Sequence, residues 1–271
     1  MRRWSHVVPI RVTRDSRPSF WVHAAGGNVL SYAVMVRELS PGIDIYGIQA
    51  RGLEDGQEVL TDLVQMATCY VEAVREVQPD GPYTLVGWSF GGMVAVEMAA
   101  QFRASGDEVS ELVLIDTGTR DAAPGQMDLT DPGFLAGLAQ FLAQSVAHQL
   151  GPAIFAALPA EARVAHFIQT AVEAGALPPT FTEDELSRIL TVYAGCNDAY
   201  RAYEPAVLAV RTTLIRAEQN TDPDPRLGWA PPEGGELRVI DAPGTHVTVM
   251  HEAHVRAYAR QLSDVLARAT S

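Results

Sequence analysis

Short apolar runs alternate with helical patterns along the first 115 residues, and this alternation constrains the fold more than any other feature. The runs at 20–24 (FWVHA), 44–50 (DIYGIQA), 83–87 (YTLVG) and 112–115 (LVLI) have strand length and strand character. Between them lie a stretch read as helical through Leu39, a helical pattern over 61–77 and another over 90–103. In 61–77 the apolar residues Leu63, Met66, Ala67, Tyr70, Val71 and Val74 recur at helical spacing. Such β-α alternation predicts a parallel sheet covered by helices on both faces. The near-continuous apolar strands agree, because parallel strands are buried on both sides.

The pattern then breaks. Residues 120–204 contain no convincing strand, and 134–150, 160–174 and 183–203 read as helices divided by Gly-Pro, Leu-Pro and Pro-Pro-Thr. Strand character returns at 212–217 (TTLIRA) and 237–241 (LRVID), and a last helix is expected over 252–269. The expected organisation is an N-terminal linker and first strand over 1–18, a core formed by 19–120 and 206–271, and an all-helical lid inserted at 121–205. Long insertions near active sites tend to be functional. Phe134, Leu138, Phe141, Leu142, Ile154, Phe155, Phe167 and Ile168 either line a channel there or pack the lid helices together, and packing is the plainer reading.

Composition removes several function classes. The chain has 271 residues, with 33 acidic against 20 basic side chains and a net charge of −13. A nucleic-acid binder needs a basic face to neutralise phosphates, and docking on anionic lipid needs one too. The basic residues are all arginine, so no lysine Schiff base or P-loop lysine is available. We read the missing lysine as codon bias. The apolar fraction of 47% with 20% charged residues is that of a globular domain. Cys69 and Cys196 are too few for a disulfide framework or a four-cysteine zinc site and are expected as reduced thiols. No secretory signal and no spanning run of about 18 apolar residues is visible, so a cytoplasmic location is expected.

Gly87-Trp88-Ser89-Phe90-Gly91 is a G-x-S-x-G sequence. The pentapeptide alone is weak, but it directly follows a strand and directly opens a helix, as a nucleophile elbow requires. The glycines permit the tight turn, and the helix N-terminus favours a developing oxyanion. An idle serine on a glycine-rich turn is the plain alternative. A serine needs a base oriented by an acid. His246, in Pro243-Gly244-Thr245-His246, follows the last strand and precedes the last helix, at the sheet edge where catalytic residues gather. His251 and His254 are competitors whose HEAH spacing is not that of a zinc motif. His23 precedes the serine, against the order Ser, acid, His. His6, His148 and His166 read as tail and lid residues. Two positions qualify for the acid: Asp116, ending LVLID, and Asp222 or Asp224, after TTLIRA. The chemistry alone leaves that choice open.

Taken in order, FWVHAAGG (20–27), IYGIQARG (45–52), GWSFGG (87–92), LVLIDT (112–117), YEP (203–205), LIRAEQ (214–219) and PGTH (243–246) resemble the thioesterase domains of nonribosomal peptide synthetases and polyketide synthases. The resemblance spans nearly the whole chain and is weakest in the lid. It implies an α/β-hydrolase fold, a mostly parallel sheet flanked by helices with an inserted helical lid. It implies Ser89 as acylated nucleophile, His246 as base and, between the two candidates, Asp116 as acid. It implies an oxyanion hole from the backbone N–H groups of Phe90 and Ala25. The family's usual His-Pro-Ala-Gly-Gly is here His23-Ala24-Ala25-Gly26-Gly27. The implied partner is a carrier domain whose phosphopantetheine arm delivers the acyl or peptidyl chain, released by hydrolysis or macrocyclisation. No metal and no other cofactor is expected. The alternatives are a free-standing editing thioesterase, a small-ester esterase or lipase of the same fold, and a non-catalytic binding relative.

Overall fold

The computed structural model describes residues 6–54, 56–119, 130–142, 144–232 and 235–270. Seven strands form one sheet: β1 (Val7–Arg11), β2 (Ser19–Val22), β3 (Ile45–Ile48), β4 (Tyr83–Trp88), β5 (Val109–Ile115), β6 (Thr212–Ala217) and β7 (Leu237–Ala242). Their spatial order is β1-β3-β2-β4-β5-β6-β7. β1 runs antiparallel to β3, and every other neighbouring pair is parallel.

The helices are α1 (Ala33–Glu38), α2 (Leu63–Val77), α3 (Phe90–Ala104), α4 (Pro132–Leu142), α5 (Pro152–Ala156), α6 (Ala160–Glu173), α7 (Glu183–Ala202) and α8 (Glu252–Thr270). Sheet residues alternate between two cores. Phe20, Val22, Leu85, Leu112 and Leu114 face α2 and α3, while Trp21, Val86, Val113 and Ile115 face α1 and α8. Successive side chains of a strand point to opposite faces, so strands buried on both sides supply both layers. β4 is buried along its whole length, which suits its place at the middle of the sheet.

The N-terminal strand differs from the other six in direction, and its neighbours explain why it is held. The Arg11 guanidinium donates to the carbonyls of Val36, Leu39 and Ser40, satisfying acceptors at the end of α1, and to Ile43. Buried Asp44 in turn accepts from the Thr13 N–H and hydroxyl and from the Arg14 N–H.

The helices α4 to α7 lie between β5 and β6 and have a small core of their own. Leu135, Leu138, Val146, Leu150, Phe155, Phe167, Leu186 and Leu190 form it. Phe155 and Phe167 therefore pack helices, while the side chains of Phe141 and Leu142 lie outside the described part. The expected single helix over 134–150 ends at Leu142, and a 3-10 turn spans Gln144–Gln149. Helix α5, led by Pro152 at its first position, is an element the sequence reading left out. Helix α7 begins with a capping box between Thr182 and Glu185. It spans two cores, with Leu186 and Leu190 in the helical one and Val192, Cys196 and Ala199 in that of the sheet. No described helix is long and apolar enough to cross a membrane.

Candidate active site

Ser89 stands between the end of β4 and the start of α3, with φ 55° and ψ −125°. Positive φ is costly for a serine and is kept only when its surroundings hold it. Here they do. The Ser89 N–H donates to the Ile115 carbonyl, and the Ser89 carbonyl accepts from the Gly92 N–H and the Thr117 hydroxyl. The turn also needs its glycines. A Cβ on Gly87 would overlap the backbone of Gly91 and Gly92, and one on Gly91 would come within 2.5 Å of the Val22 and His23 carbonyls. β4, α3 and the end of β2 are thus in backbone contact around the serine.

His246 occupies the loop after β7, and Asp116 follows β5 with φ 43°. His246 Nε2 lies 2.8 Å from Ser89 Oγ, and its Nδ1 lies 2.8 Å from Asp116 Oδ2. A carboxylate only accepts, so Nδ1 carries the proton and Nε2 is free to accept from the serine hydroxyl. Trp88 supports the ring from below: its indole N–H donates to the His246 carbonyl, and the two rings sit 5.8 Å apart.

Asp116 is fully buried. Burial pushes its pKa up, but the His246 hydrogen bond, the Ala217 N–H, the His246 charge and the Asn220 amide together hold it below the usual aspartate value. Its second oxygen, Oδ1, accepts from the Ala217 N–H at 2.9 Å and from Asn220 Nδ2 at 3.0 Å. Asn220 is a residue that sequence reasoning missed. The available signal was chemical: a buried carboxylate that uses one oxygen on a histidine needs donors for the other.

The other candidates lie elsewhere. Asp222 and Asp224 accept from the N–H groups of Asp224, Arg226 and Gly228 in their own loop, while the described partners of the His246 ring nitrogens are Asp116 and Ser89. His254 donates from Nδ1 to the Thr248 carbonyl, and His6 to that of Gln49. His148 is exposed, and His166 packs edge-on to Phe155. His23 is a satisfied core histidine. Its Nδ1–H donates to the Ala24 carbonyl at 2.7 Å, so its Nε2 accepts from the Tyr70 hydroxyl at 2.7 Å. Burial drives its pKa down to about 4, so it is neutral near pH 7. It anchors the residue just before Ala25.

Two clefts meet at Ser89. The larger, of about 500 Å³, is walled by Ala25, Phe90, α7 and the loops carrying Asn220 and His246. The smaller, of about 260 Å³, runs under α4 past Phe134, Leu138 and Ile189. Ala25 and Phe90 both border Ser89 there, and neither backbone N–H has an acceptor among the described hydrogen bonds.

The family model described as "Thioesterase domain" matches residues 17–266. The chain belongs to the thioesterase domain family. A dimodular nonribosomal peptide synthase of Bacillus subtilis is 44% identical over 110 residues, 41% of this chain. The thioesterase domain also superposes on a solved four-domain nonribosomal peptide synthetase with a TM-score of 0.82 at 27% identity, over 96% of its length. The NocB thioesterase domain, solved in covalent complex with a fluorophosphonate nocardicin G analogue, gives a TM-score of 0.66 at 27% identity, over 98% of this chain and 99% of that one. The chain spans 5% of the dimodular synthase and 20% of the four-domain synthetase. The expected α/β-hydrolase fold is the observed one: a mostly parallel seven-stranded sheet flanked by helices.

Proposed function

We propose that this thioesterase domain releases an acyl or peptidyl chain from the phosphopantetheine thioester of a carrier domain, through an ester on Ser89. The observation that carries the reading is the single imidazole of His246, 2.8 Å from both Ser89 Oγ and Asp116 Oδ2. Membership of the family makes the thioester the substrate of choice, and synthetase relatives make a carrier domain the natural donor.

His246 Nε2 takes the Ser89 proton as Oγ attacks the thioester carbonyl. Asp116 keeps the ring in the required tautomer and stabilises its charged form. The oxyanion develops where the Phe90 and Ala25 N–H groups and the N-terminus of α3 converge. The C–S bond breaks, and the proton on Nε2 passes to the departing thiolate. His246 then takes a proton from water, or from a hydroxyl or amine of the chain itself, as that nucleophile attacks the Ser89 ester. Water yields a free acid; an internal nucleophile yields a macrocycle. This chemistry needs no metal and no redox cofactor. The helices over the site, α4 to α7, serve in this reading as the lid that decides how far water reaches the ester.

The test is turnover of an acyl-pantetheine thioester beside the matching oxygen ester, for the wild type and Ser89→Ala. Thioester turnover that Ser89→Ala abolishes supports the reading. Efficient turnover of the oxygen ester with none of the thioester contradicts it and points to an esterase.

A further inference from the structure

Helix α7 turns Tyr193, Asn197 and Tyr200, at i, i+4 and i+7, toward the larger cleft beside Ser89. Asn197 is only 7% exposed. Its amide has no hydrogen-bond partner among the described residues, and it lines the cleft. Each of the other buried polar residues described has a side-chain hydrogen bond: Ser19, His23, Asp44, Thr84, Glu111 and Asp116 do. So do Thr117, Thr212, Thr213, Ser263 and Thr270. Among the described residues, the enclosed polar atoms without a partner lie elsewhere, Ser31 Oγ among them, so the Asn197 amide is not sealed in the fold but opens into the cleft. A largely buried amide that makes no described bond within the fold and faces a cleft beside Ser89 is placed to bond a ligand.

The chemistry of the position narrows the ligand. An asparagine offers two donors and an acceptor side by side, the complement of a secondary amide. The described cleft walls hold no arginine and no carboxylate: beside Asn197 they comprise Ser89, His246, Gln219, Asn220, Thr221, Thr245 and apolar or aromatic groups. They therefore suit a neutral polar ligand rather than a phosphate or a carboxylate. The smaller cleft, walled by Phe134, Leu138, Ile189 and Val247, is the more apolar of the two.

We infer that Asn197 binds a secondary amide of the substrate while its thioester carbonyl sits at Ser89. The inference rests on the thioesterase reading and adds a specificity-determining residue to it. Such an amide is present both in a peptidyl chain and in the pantetheine arm.

Three thioesters separate the sources. Hexanoyl-S-propane has no amide, hexanoyl-pantetheine carries amides only in the leaving arm, and an N-acyl dipeptidyl S-propyl thioester carries them only in the chain. Asn197→Leu is expected to lower kcat/KM about tenfold on at least one amide-bearing substrate, the loss of one neutral hydrogen bond of ~1.4 kcal/mol. It is expected to leave hexanoyl-S-propane unchanged. Loss on the dipeptidyl substrate assigns the amide to the chain, and loss on hexanoyl-pantetheine assigns it to the arm. Because Asn197 has no partner in the fold to lose, the melting temperature of the variant should hold or rise. Asn197→Ala repeats the measurement if leucine crowds the cleft. Equal losses on all three substrates, or a lower melting temperature with no selectivity, overturn the inference. If the wild type turns over none of the three, the thioesterase reading falls first and the inference falls with it. Wild-type turnover with unaltered selectivity in the variants sinks the inference alone.

Discussion

At the residue scale, the site depends on how Asp116 divides its two oxygens. One orients His246, and the other is held by the Ala217 N–H and the Asn220 amide. If Asp116 is the triad acid, Asp116→Asn should lower kcat by about 10⁴-fold, because the amide favours the wrong tautomer of the histidine. Asp222→Asn should stay near wild type, since the Asp222 carboxylate accepts from the Asp224 N–H of its own loop. A crippled Asp222→Asn with an active Asp116→Asn would reverse the assignment. Asn220→Ala should reduce kcat by roughly tenfold with little change in KM, as expected for a group that positions the acid. Ser89 and His246 were legible because each follows a strand and the motif order restricts the choices, whereas Asp116 was preferred to Asp222 only through the family resemblance; the structure brings the three side chains together. Asn220 and Asn197 were not legible. Their roles depend on what faces them in space, and neither an exposed-looking loop nor a helix of mixed polarity reveals that. Glu111 is another such residue. Buried on β5 beside Thr213, it has its pKa raised to about 7, chiefly by burial, against the help of Thr213 and Arg211. The folded state therefore binds its proton more tightly than the unfolded chain does. Stability from this group is full below about pH 4.5 and is lost as pH rises to about 7. Thermal melts of Glu111→Gln should exceed wild type at pH 8 and converge with it near pH 5, by an amount on the order of 2 kcal/mol.

At the element scale, the β4–α3 elbow is the tightest junction described around the site. Gly87→Ala drives a methyl into the backbone of α3, so it should cost at least ~3 kcal/mol or prevent folding, measured by denaturant unfolding. The helical insertion behaves differently, because its small core is separate from those of the sheet. Phe167→Ala should cost about 3–5 kcal/mol within that core. Hydrogen exchange should accelerate in α4 and α6 while β4 and β5 stay protected. Uniform acceleration through the sheet would contradict this separation. Strands were the most legible elements because burial on both faces makes them near-continuously apolar. The insertion was read less well. The 134–150 pattern continues through a change from α-helix to 3-10 geometry at Gln144, and five-residue α5 is too short to develop a period.

At the scale of the whole molecule, every group named in the proposed mechanism lies at one edge of the parallel sheet. Ser89, Asp116 and His246 follow β4, β5 and β7, and Ala25 follows β2. Parallel strands end at the same edge, which is why residues far apart in sequence converge there. The net charge of −13 bears on docking of the proposed carrier partner. Carrier domains are commonly acidic, so long-range attraction should not drive their encounter with this domain. Binding of a carrier in trans should weaken little between low and physiological salt; a steep loss would count against docking by apolar contact and tethering. The central claim is that Ser89 carries the chain as an ester, and intact mass during a single turnover tests it most directly. Mixed with an acyl-pantetheine thioester and quenched in acid, the protein should gain the mass of one acyl group, mapped to the peptide containing Ser89. Ser89→Ala should gain nothing. Thioester turnover by the wild type with no adduct at any time, or an adduct that persists in Ser89→Ala, would contradict it.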